Sequence, residues 1–122
     1  RVDVKPSYGL SDEQIARMLQ ESFATAQQDI QARALAEARV EADRMLLATQ
    51  SALDADGDLL SDDERTHIDA LMQALRLQAA VADAPALEAA TQALAKGTEA
   101  FAAQRMNRGI RKALAGQNVR TL

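Results

Sequence analysis

The 122-residue chain has no cysteine and no tryptophan, and Tyr8, Phe23 and Phe101 are its only aromatic side chains besides a single histidine, His67. Without cysteine there is no disulfide framework, zinc ribbon or thiol nucleophile, and a reducing cytoplasm is the default setting. With few rings and abundant alanine, the core has to come from thin, closely packed helices rather than a thick α/β stack. No apolar run approaches the ~20 residues needed to cross a bilayer, and the N-terminus lacks the charged and apolar regions of a secretory signal. A net charge of −4 argues against a general nucleic-acid binder. G-x-S-x-G, P-loop and H-E-x-x-H patterns are missing, and His67 has no second histidine or serine motif near it. His67 therefore reads as a surface helix residue, and neither catalysis nor a bound metal or cofactor is expected.

What is present is one domain's worth of chain organised as helices. "RVDVKP" alternates Val2 and Val4 with polar neighbours, as the end of a β-strand does, and Pro6 and Gly9 then punctuate it. A chain that begins with Arg1 and a strand end reads as a piece of a longer protein, with residues 1–9 closing the part before it. Ser11-Asp12-Glu13-Gln14 is a capping box, and no Gly or Pro interrupts the run from Leu10 to Asp56. Ile15, Met18, Leu19, Ala26 and Ile30 recur along it at helical spacing. In "QQDIQARALAEARVEADR" the only large apolar residues, Ile30, Leu35 and Val40, stand five apart, so the stripe is thin and drifts around the helix. Apolar density returns at Met45, Leu46, Leu47 and Leu53. A single rod of about 45 residues would reach roughly 65 to 70 Å, far more than a globule of this size needs. The expectation is a long helical arm over 11–56, with a kink or break near Ser22 to Thr25, where weaker helix formers cluster.

The stretch "SALDADGDLLSDDER" raises the question of a calcium loop, because Asp54, Asp56 and Asp58 alternate. An EF-hand loop counted from Asp54 requires glycine at its sixth position and glutamate at its twelfth, where Leu59 and Arg65 stand. Counting from Asp56 puts Ser61 and His67 there. A helix junction explains the same residues: Gly57 can end one helix in the left-handed conformation, and Ser61-Asp62-Asp63-Glu64 is a second capping box. The next helix runs over 61–81, with Ile68, Leu71, Met72 and Leu75 on one face. Asp83 can cap a last helix over 83–115, with Pro85 in its first turn. In it Leu87, Thr91, Leu94, Thr98, Phe101 and Arg105 follow a 4,3,4,3,4 spacing, with Ala90 and Met106 adjacent, which is a packing seam. Gly97 and Gly109 weaken it locally, and 116–122 read as a flexible tail.

The fold class is thus all-α: an arm followed by a small antiparallel three-helix bundle, with a residual strand end in front. The bundle core is assigned to Leu46, Leu53, Ile68, Leu71, Met72, Leu75, Leu87, Leu94 and Phe101. Met18, Met45, Met72 and Met106 sit on apolar faces as core filler rather than ligands. Arg105, Arg108, Arg111 and Lys112 in "RMNRGIRKAL" suit a helix C-terminus; a phosphate-binding arm is disfavoured because no aromatic residue interleaves the charges.

This order of parts, a strand end, "KPSYGLSDEQI", a long polar-centred helix and a small bundle, resembles the C-terminal lid of the DnaK-type heat-shock chaperones. The "KPSYGL" spelling and "AEARVEADRML" look most like the HscA members specialised for iron–sulfur cluster assembly. The resemblance covers nearly the whole chain, most strongly Val2 to Leu60 and "FAAQRMNRGIRKAL". It implies an upstream ATP-binding domain and a β-sandwich that grips an extended client peptide, with this segment closing over the peptide. It implies a latch in which Asp29 and Asp43, placed by ungapped alignment from Ile15, meet arginines on the sandwich loops. Ile15, Met18, Leu19 and Leu47 would pack the lid. Leu47 stands where DnaK has a latch histidine, which puts that one contact in doubt. The resemblance further implies the cluster scaffold IscU as client and the J-type partner HscB. The rival expectation, from another class, is a free-standing helical dimerisation module that self-associates through its drifting apolar positions.

Overall fold

The computed structural model describes Gly9 and residues 11–121, with side chains to residue 116. The strand end expected at Val2 and Val4 lies outside the described residues. Those described form four helices: α1 (Asp12–Asp56), α2 (Asp62–Ala79), α3 (Ala84–Gly97) and α4 (Glu99–Thr121), with a 3-10 turn at Gly57–Leu59 between the first two.

The first three helix starts carry the chemistry their sequence announces. The Ser11 backbone N–H donates to Gln14 Oε1 (2.7 Å), and the Gln14 N–H donates back to Ser11 Oγ (3.1 Å). Ser61 and Glu64 repeat the exchange at 2.9 and 3.2 Å. At α3 the Ala86 N–H donates to Asp83 Oδ1 (3.2 Å), with Pro85 in the first turn. These side chains satisfy amide groups that a helix start leaves without intrahelical partners.

Three boundaries differ from expectation. Helix α1 runs through Ser22–Thr25 without a break: propensity differences of a few tenths of a kcal/mol per residue are too small to interrupt a helix that no Gly, Pro or competing cap opposes. Gly57 does not adopt the left-handed conformation; among the described residues only Gly9 has a positive φ, of 79°. The chain instead tightens into the 3-10 turn, closed by Leu60 N–H donating to Gly57 O (3.1 Å), another way to satisfy terminal carbonyls. The third helix is divided. Thr98 separates α3 from α4, its N–H donating to Leu94 O (3.1 Å) and its hydroxyl to the Leu94 and Ala95 carbonyls (2.9 and 3.1 Å). The second segment then continues beyond Ala115 to Thr121.

The chain divides into two compact units, Arg1–Ala34 and Leu35–Leu122. In the first, residues 12–33 form helix, and every one of them, with the capping Ser11, is exposed. The second holds the core. Leu53, Ile68, Met72, Leu75, Leu87, Leu94 and Phe101 are buried, with Leu46 and Leu71 packed against them half-buried. Ala38, Ala42 and Ala52 are buried too, so from residue 35 onward the stripe on α1 does not drift. Ala38, Ala42, Met45, Thr49 and Ala52 follow a 4,3,4,3 spacing, the same ladder as on α3 and α4, built from small side chains that let helices approach closely. The buried Thr49 and Thr91 hydroxyls donate to the carbonyls of Met45 (2.7 Å) and Leu87 (3.0 Å), so neither polar group is left unpaired.

Contacts along the chain set the helix directions in this unit. Arg39 Nε on α1 donates to Ala79 O at the far end of α2 (3.3 Å), so α1 and α2 are antiparallel and the guanidinium caps the α2 carbonyls. Leu71 of α2 lies against Gly97 at the end of α3, while a short turn joins Ala79 to Ala84, so α2 and α3 are antiparallel as well. The result is an up-down-up bundle whose third member is α3 followed by α4. Two of the four methionines are not core filler: Met18 is 51% exposed and Met106 67%.

Candidate functional site

The surface not used for packing is where partner chemistry is to be sought. In the first unit, Ile15, Met18, Leu19, Phe23 and Ile30 are 43 to 66% exposed, and residues three and four apart on a helix share a face. Asp29 belongs to this face, beside Met18, Ser22 and Ala26, which line the same shallow depression. In the second unit, Val40 and Leu47 are exposed, 50% and 71%, on the side of α1 opposite its buried alanines. The exposed Asp43 stands between them, three residues after Val40 and four before Leu47. Each unit therefore presents carboxylates beside exposed apolar side chains, Asp29 with Glu21 in the first and Asp43 with Glu37 and Glu41 in the second. Such an arrangement suits docking onto a partner whose apolar surface is rimmed by cations.

A second group of charges is satisfied internally. Arg105 Nε donates to Asp56 Oδ2 at 2.8 Å, and Arg108 Nη1 donates to Asp56 Oδ1 at 3.0 Å. Arg108 also forks onto Asp58, Nη1 to Oδ1 at 2.9 Å and Nη2 to Oδ2 at 2.6 Å. The Asp56 side chain is only 15% exposed, and the Arg105 guanidinium carbon lies 6.0 Å from the centre of the Phe101 ring. The hydrogen bond from Arg105, supported by Arg108, holds the Asp56 carboxyl below its ordinary range, and the bond from Arg108 does the same to Asp58. Asp58 and Asp56 together raise Arg108 further above its ordinary value. Asp54 accepts from Gln50 Nε2 (2.9 Å). Two aspartates of the acidic ladder, Asp56 and Asp58, and two cations of the basic segment, Arg105 and Arg108, are thus partners of each other. His67 is exposed on α2.

Comparison with known proteins decides the family. Residues 1–107 match the family profile described as Hsp70 protein. The chain belongs to the Hsp70 family. Within it, the chain is similar to proteins named Chaperone protein HscA homolog. The one from Acidovorax ebreus (strain TPSY) is 76% identical over 100% of the chain. Those from Delftia acidovorans and Burkholderia cenocepacia are 68% and 59% identical over 99% and 97% of it. The chain spans about a fifth of these relatives' length (20%, 20% and 19%). No helix among the described residues is long and apolar enough to cross a membrane.

Two features of the surface escaped sequence reasoning. Phe23 belongs to the exposed stripe of the first unit, four residues after Leu19, a signal masked by the weak helix formers around it. The pairing of Asp56 with Arg105 was visible as a spacing: each occupies the next step of its ladder, Asp56 four residues after Ala52 and Arg105 four after Phe101.

Proposed function

We propose that this chain is the C-terminal helical lid of an HscA-type chaperone and acts by physical gating. It closes over an extended client peptide held by an adjacent β-sandwich and slows the peptide's release. The observation that carries this reading is the exposed segment from Ser11 to Arg33, an amphipathic helix with no buried side chain of its own. Its apolar side chains Ile15, Met18, Leu19, Phe23 and Ile30 are left uncovered, so it calls for a partner surface. Ile15, Met18, Leu19 and Leu47 supply the apolar contact, and Asp29 and Asp43 form the latch with arginines on the sandwich loops. An exposed ion pair contributes roughly 0 to 1 kcal/mol, and one shielded on closure, in bidentate geometry, contributes more.

The rest follows the family. ATP, bound in the upstream domain, biases the open form against the closed one, a two-state coupling rather than chemistry in this segment. No catalytic role is assigned to the segment itself. The setting is the cytoplasm and the process iron–sulfur cluster assembly, with IscU as client and HscB as J-type partner.

The test is the dissociation rate of a labelled client peptide from the sandwich domain with and without this segment, alongside the oligomeric state of the segment alone. Slower release with the segment attached supports the lid. Equal release in both, with a stoichiometric dimer held by Ile15, Leu19 and Phe23, replaces it with the dimerisation module.

A further inference from the structure

Helix α4 changes character after Phe101. From Ala102 to Gly116 no described side chain is buried, and only Gln104 and Arg108 are half-buried. Met106, Ile110 and Leu114 are 67%, 51% and 54% exposed. What ties this stretch to the bundle by hydrogen bonds is the single bond from Arg105 to Asp56 together with Arg108, which donates to Asp56 and forks onto Asp58, at 2.6 to 3.0 Å; the half-buried Gln104 adds no bond, its Oε1 having no partner. Phe101 anchors the first turn of α4 in the core, so only the helix beyond it can move, and the break at Thr98 sets that anchored turn apart from α3.

We infer that α4 from Ala102 onward is a separable element, docked on the bundle by this four-residue ionic clamp and released when the clamp is weakened. The buried seam of Ile68, Met72, Leu75, Leu87 and Leu94 lies outside the released part and stays folded. The clamp is open to solvent on its Asp58 and Arg105 side, 66% and 40% exposed, where salt screens it, whereas apolar packing is not weakened that way. Ionic strength therefore shifts α4 alone. Once undocked, the helix frays, because Gly109 and Gly116 lower its intrinsic propensity and no tertiary packing supports it. Release takes Ala102 and Arg105 away from the groove that Met45, Thr49 and Ala52 of α1 line together with Thr98 and Phe101.

The test is hydrogen exchange on the full chain, followed in peptides from α4 and from α2, at low and at about molar salt. The expected result is exchange in 106–116 faster by about tenfold or more at high salt, with no change in 68–75, the pattern of a local opening. Asp56→Asn with Asp58→Asn should reproduce this at low salt and remove the salt dependence. Asp58→Arg alone should speed exchange in 106–116, and adding Arg108→Asp should restore part of the protection, short of the unaltered chain because the new carboxylate then faces Asp56. Exchange in 106–116 that is indifferent to salt and to the swap, or that rises only together with 68–75, overturns the inference. Should the aspartate variants fail to fold, the salt series on the unaltered chain decides it.

Discussion

Asp56, Asp58 and Glu64 carry the chain's clearest acid dependence. Two are held low by arginines and the third by the Ser61 backbone N–H it accepts from. Their ordinary values are 3.8, 3.8 and 4.5. A carboxyl depressed in the folded state binds protons first in the unfolded state as pH falls, so its contribution is present above the ordinary value and lost on descending through the folded one. Melting temperature should therefore fall as pH drops below about 4.5, and Asp56→Asn with Asp58→Asn should flatten that decline. Thermal melts from about pH 6 to about pH 3 check it. Glycine gives a second prediction at this scale. A Cβ on Gly97 would overlap the Leu71 side chain, whereas one on Gly109 meets nothing. Gly97→Val should cost about 1 to 3 kcal/mol through overpacking. Gly109→Ala should add about 0.5 to 1 kcal/mol of helix propensity, both read by denaturant unfolding.

Among the elements, burial separates residues that look alike in sequence. Leu94 is fully buried in the seam, whereas Met106, next to the ladder position Arg105, is 67% exposed. Leu94→Ala should destabilise the bundle by about 2 to 5 kcal/mol, and Met106→Ala should stay within about 0.5 kcal/mol, compared by urea midpoint. Much of this level was legible beforehand. Capping boxes at Ser11 and Ser61 and the cap at Asp83 are local chemistry, and each produced the helix start it announces. The buried leucines on α2 and α3 follow a period strong enough to read directly. The seam on α1 was harder because Ala38, Ala42 and Ala52 carry little hydrophobicity apiece, and their burial depends on neighbours the sequence does not display. Helix ends were least legible. Gly57 could have turned left-handed or entered a 3-10 turn, and Thr98 breaks the third helix where the 4,3 spacing passes without interruption.

For the whole molecule, the family was legible from the spelling of its first turns and long helix, and the profile match over residues 1–107 agrees. The partner side of the surface was not, since exposed apolar residues and carboxylates have meaning only against what they meet. A latch of exposed carboxylates acts chiefly on escape, because affinity differences among related complexes lie mostly in k_off. The two proposed latch positions, Asp29 and Asp43, differ in this from Asp69, an exposed carboxylate on α2 already paired with Arg65 at 3.4 Å. The measurement that bears most directly on the lid is the release rate of a labelled client peptide from the full chaperone carrying Asp29→Ala and Asp43→Ala, with Asp69→Ala as control. The account predicts release accelerated several-fold by the first pair and unchanged by the control, with association nearly unaffected. Equal release from all three proteins would contradict it.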